Sequence, residues 1–143
     1  VATVAVVLAP SIANADITSQ LAAPAALRAV KRSVKKLGSL ELVVVNNDYE
    51  AIKDSVRAEP LADVRKNCST LVRAAENTPQ ADGMVAAYKE MIFSLEQMDN
   101  LAKGAMRGRK LGEAEFLQSY QGLVKALDRF LVQAEAVTPV AVE

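Results

Sequence analysis

The 143-residue chain contains no histidine and no tryptophan, a single cysteine, and only 4% aromatic side chains. Each shortage removes a class of chemistry. Without histidine there is no Ser-His-Asp or Cys-His nucleophilic machinery, no histidine-ligated haem and no mixed Cys/His zinc site. One cysteine makes neither an internal disulfide nor an Fe–S centre, so stability has to come from the packed core. Neither sign of charge is in excess, with 17 basic and 17 acidic residues, and nucleic acid is therefore a disfavoured partner. The glycines do not fall into a dinucleotide-binding, phosphate-loop or nucleophile-elbow pattern. The expectation is a protein that is not an enzyme, with no catalytic residues, no metal site and no cofactor.

What is present is apolar, at 51% of the chain and rich in alanine and valine, enough for one packed domain of this length. The first fifteen residues differ from the rest. Val1 to Pro10 carries no charge and leads into Ser11, Ile12 and the small residues Ala13-Asn14-Ala15. Such a run reads as the end of a targeting or signal segment, cut before Asp16, and it is too short to span a bilayer. Residues 16–143 then form a single helical domain, exported to a periplasm, an extracellular space or an organelle lumen.

Beyond residue 20 the apolar spacing is helical almost throughout. Leu27, Val30, Val34 and Leu37 share one face of a helix with Pro24 in its first turn and Gly38 at its close. Asp48 is placed to cap a stretch bearing Tyr49, Ile52 and Val56, which Pro60 breaks or kinks. The pattern resumes with Leu61, Val64, Cys68, Leu71, Val72 and Ala75 and stops at Asn77-Thr78-Pro79. A third long helix, with Thr78 as cap and Pro79 in first position, carries Met84, Val85, Tyr88, Met91, Ile92, Leu95, Met98 and Leu101. A loop from Gly104 to Gly112 leads to a fourth, with Phe116, Tyr120, Leu123, Val124, Leu127, Phe130 and Leu131 inward and Thr138-Pro139 at its end. Leu40 to Val45 reads as an extended connection or a short edge strand. The predicted fold is all-α, an up-down-up-down four-helix bundle.

Met84, Met91 and Met98 recur every seven residues, which invites a metal reading. Methionine packs irregular cores, however, and a copper site recruits histidine or cysteine beside it, so all four methionines, Met106 included, are assigned to the core. Cys68 is read as a small core residue. Glu113, Glu115 and Glu135 are read as solvated charges, because a di-iron bundle needs Glu-x-x-His pairs.

Charge distribution says more than its zero sum. Arg28, Lys31, Arg32, Lys35 and Lys36 follow one another on the first helix with no acid among them, and Lys103, Arg107, Arg109 and Lys110 cluster in the glycine-punctuated loop. Both are candidate partner-binding patches for an acidic surface.

A small histidine-free helical bundle with a basic first helix, behind an Ala13-Asn14-Ala15 site, resembles the lumenal extrinsic subunits of photosystem II. The likeness is to the PsbQ-like group and the small four-helix extrinsic protein of diatoms and related algae. The resemblance spans about Asp16 to Val137 and rests on architecture and on the Tyr88 and Tyr120 helix faces. It implies a chloroplast protein of the thylakoid lumen, peripheral to the membrane, that docks on photosystem II intrinsic and other extrinsic subunits. There it would support oxygen evolution by helping the manganese-calcium cluster keep its calcium and chloride. A reading from another class is an exported helical binding module or inhibitor that captures a protein or an apolar ligand.

Overall fold

Apolar residues at intervals of three and four bury themselves as helix faces, and in the computed structural model helices are the only regular elements among its described residues, 10–112 and 114–138. In chain order these are α1 (Pro10–Ser39), α2 (Glu41–Val45), α3 (Tyr49–Arg57), a 3₁₀ turn (Leu61–Asp63), α4 (Val64–Ala74), α5 (Ala81–Met106) and α6 (Glu115–Val137). The first nine residues of the expected targeting segment, Glu113 and Pro139 lie outside the described residues.

Several local expectations are corrected. Helix α1 starts at Pro10, so Pro24 sits in its interior and not in its first turn, where it leaves the carbonyl of Gln20 without its i+4 donor. The Leu40–Val45 run is not extended. Glu41–Val45 is one helical turn, because Leu40 and Val44 bury together, at 4% and 1% exposure, one turn apart. Thr78 does not cap α5. Its hydroxyl turns back to donate to the Ala75 carbonyl at 2.7 Å, and α5 begins after Gln80. The loop before α6 is shorter than expected, since α5 runs through Lys103 and Gly104 to Met106.

Gly38 likewise lies inside α1, which runs on to Ser39, and Pro79 stands before the Gln80 cap of α5 and not at its first position. Other boundaries follow their residues. Asn47 stands at φ 56°, and the Asn47 and Asp48 N–H groups close back on the Val44 and Val43 carbonyls at 3.0 and 3.1 Å. This is the Schellman ending that asparagine tolerates. Asp48 then accepts from the Ala51 N–H at 3.2 Å and caps α3. At the end of α5, Gly108 at φ +90° makes the same motif, with Arg109 N–H on the Gly104 carbonyl at 2.9 Å. The break at Pro60 separates α3 from α4 as its ring requires.

Helix α6 returns along α5: Gly83 lies against Gln133, Glu90 pairs with Arg129, and Gly122 lies against Ser94. Helix α1 packs chiefly on α4 and also on α6, whereas α3 leans on α5. Between them lies one core that includes Val30, Leu37, Ile52, Leu71, Leu123, Leu127, Phe116 and Phe130, all at 2% exposure or less. Met84, Met91 and Met98 are fully buried, each stabilising the fold by about 1.5–3 kcal/mol. Met106 is the exception to the core assignment, 45% exposed beyond the last packed turn of α5. Tyr49 meets Phe116 edge-on at 5.3 Å between ring centroids.

Candidate docking surface

Successive residues of an α-helix advance by about 100°, which sorts α1 into two sides. Leu27, Val30, Ser33 and Leu37 are buried against α4 and α6. Arg28, Lys31, Arg32, Lys35 and Lys36 are all exposed, within a sector of about 140° that faces away from the core. Ser33 can be buried among apolar neighbours because its hydroxyl lies 3.2 Å from the Ala29 carbonyl and 3.1 Å from that of Pro60.

The five cations differ in their partners. Lys31 reaches Glu135 at 2.8 Å, both side chains being nearly half exposed. Glu135 is thus a paired charge on α6. Arg28, Arg32, Lys35 and Lys36 make no ion pair among the described residues. Arg32 borders a shallow cleft with Glu59 and Asp63 without pairing with either. Elsewhere the surface neutralises itself: Arg129 with Glu90 at 2.8 Å, and Lys103 with Asp99 at 2.7 Å.

The second cluster is less uniform than its sequence. Lys103 belongs to α5 and is held by Asp99. Arg107 ends the helix. Arg109 folds back over Gly104, where an added Cβ would stand 3.1 Å from its Cδ. Lys110 is exposed on the connection. Glu115, also exposed, accepts from the Gly112 N–H at 2.8 Å and braces the entry to α6.

Tyr120, on α6, donates to the Leu37 carbonyl at 2.7 Å. This bond ties the start of α6 to the end of α1, so the basic connection and Lys35 and Lys36 lie at one end of the molecule. The structure does not merge the two clusters, because the first runs along α1 and the second wraps the end of α5. Burial, reinforced by the nearby Glu41 carboxylate, pushes the Tyr120 hydroxyl above its ordinary value.

Sequence reasoning missed several exposed or cleft-lining residues. Ile17, Leu21 and Phe93 are 44%, 79% and 64% exposed. Phe93 follows Ile92 in a run of apolar residues, and only its offset from the Met91, Leu95, Met98 stripe marks it as outward. Arg57 and Arg65 were unremarkable in sequence, yet both line one cleft of about 570 Å³ beside α5. Among the described residues no group of three or more cysteine, aspartate or glutamate side chains is placed to hold a metal, and no helix is long and apolar enough to cross a membrane. No family model matches the chain, and no characterised protein or solved structure shows significant similarity to it.

Proposed function

We propose that this chain is a non-enzymatic extrinsic subunit that docks, by the outer face of α1, on acidic protein surfaces at the lumenal side of photosystem II. In this reading it needs no cofactor of its own and acts in the chloroplast, in the thylakoid lumen at the membrane surface. It supports oxygen evolution by shielding the manganese-calcium cluster and its calcium and chloride. The architecture is an up-down-up-down four-helix bundle whose second rod is broken into α3, the 3₁₀ turn and α4. The return of α6 along α5 and the packing of α4 on α1 support that arrangement.

The observation that carries the reading is the charge of α1. Five cations with no intervening acid line its outward side, and four of them have no ion-pair partner among the described residues. Leaving such a row unneutralised costs self-repulsion, and an acidic partner removes that cost while steering the encounter. The basic connection at the same end of the molecule supplies a second contact through Arg107 and Lys110.

The test is rebinding of the chain from Asp16 to photosystem II membranes stripped of extrinsic proteins by high salt, with oxygen evolution followed in parallel. Binding should be salt-reversible and restore oxygen evolution. The triple variant K31E/R32E/K35E should lose at least about tenfold in affinity, with helicity unchanged. Failure of the folded wild-type chain to rebind, with the other extrinsic subunits supplied, would favour the exported binding module.

A further inference from the structure

The break in the second rod leaves a notch. After Arg57 the chain leaves the helix, passes Pro60 and re-enters through the 3₁₀ turn, so the wall that a continuous helix would set against α5 is interrupted. The opening is a cleft of about 570 Å³, within the range of small-molecule sites. Its apolar floor comes from Val56, Leu61 and Leu95, of which Leu61 and Leu95 are at 2% and 4% exposure. Arg57 and Arg65 stand at its rim from opposite sides of the break, facing Glu96 and Asp99 of α5.

Those arginines are poorly satisfied by their neighbours. Arg57 approaches Asp99 at 3.7 Å and Arg65 approaches Glu96 at 3.9 Å, both beyond hydrogen-bond length. Asp99 is instead engaged by Lys103 at 2.7 Å. Neither guanidinium makes a hydrogen bond among the described residues, so two planar forks keep their donors available above an apolar floor. A fork of this kind matches a carboxylate, with two parallel N–H donors for its two oxygens.

We infer that this notch binds a small amphipathic carboxylate, its anionic head taken by Arg57 and Arg65 and its apolar body laid on Val56, Leu61 and Leu95. The neutralisation of Asp99 by Lys103 limits repulsion of the head, leaving Glu96 as the competing anion. The site is separate from the outer face of α1 and is independent of the docking role.

The probe is octanoate, titrated calorimetrically into the folded chain, with octanol and inorganic phosphate as the two halves of its chemistry. Octanoate should saturate one site, and octanol and phosphate should each bind at least about tenfold more weakly. R57Q and R65Q should each weaken octanoate by about tenfold or more, with urea midpoints and circular dichroism reporting that the variants fold. E96Q should tighten binding, and K31E/R32E/K35E should leave it unchanged. The assignment is overturned if folded wild-type chain shows no saturable octanoate binding, if octanol or phosphate binds as well as octanoate, or if both arginine variants bind normally. It is equally overturned if E96Q weakens octanoate, since Glu96 would then be supporting the bound anion and not competing with it.

Discussion

Cys68 lies in the core with its Sγ 3.8 Å from the Met91 sulfur, and burial pushes its thiol from the ordinary 9.0 up to about 12. A group raised in the folded state holds its proton longer than in the unfolded chain. Its contribution is therefore complete below pH 9 and is lost as pH rises from 9 towards 12, in total on the order of 4 kcal/mol. Tyr120 titrates in the same direction. Urea midpoints measured between pH 8 and pH 11 should fall, and C68A should flatten that fall without abolishing it; an unchanged slope in C68A would assign the effect elsewhere. Tyr120→Phe should cost about 0.5–1.5 kcal/mol in the same assay, the net worth of one hydrogen bond, because the Leu37 carbonyl keeps the Leu40 N–H at 3.0 Å when the hydroxyl is gone. Individual core positions were legible because a helical stripe announces its own burial, as Met84, Met91 and Met98 do. Arg57 and Arg65 were not, since nothing in a list of residues says that a break will turn two arginines eight apart towards one opening.

Helix ends depend on single residues, and those with a side-chain mechanism were the ones sequence could place. Asp48 was readable as a cap and acts as one; D48A should cost about 0.5–2 kcal/mol in a urea titration. Thr78 offered the same signal and was misread, because its hydroxyl serves the helix behind it at Ala75 and not the helix ahead. Helix α2 was hidden by its composition. Three consecutive valines favour a strand, and what makes them helical is the burial of Leu40 and Val44 one turn apart, together with the left-handed Asn47 that closes the turn. Asn47→Gly should be tolerated and Asn47→Val should destabilise by about 1 kcal/mol or more, as thermal unfolding of the two variants would report.

For the whole molecule, six helices stand among the described residues where four were expected, the second stretch being divided into α3 and α4 and α2 being added. The all-helical character could be read from periodicity, and the charge of α1 from simple inspection. Pairing of those charges could not, because Lys31 finds Glu135 across more than a hundred residues of chain. That pair is exposed, so E135Q should change stability by less than about 1 kcal/mol while adding one more uncompensated cation to α1. Under the docking reading the variant should bind an acidic partner at least as well as wild type and with a steeper salt dependence, measured by titration at several ionic strengths.

The interruption at Pro60 also divides the molecule's cooperativity. On one side of it α3 leans on α5, and on the other α4 leans on α1. Two segments joined by only a few residues therefore owe their stability to different neighbours. Native-state hydrogen exchange should show the amides of Ile52 and Val56 opening with α5 and α6, and those of Cys68 and Leu71 opening with α1.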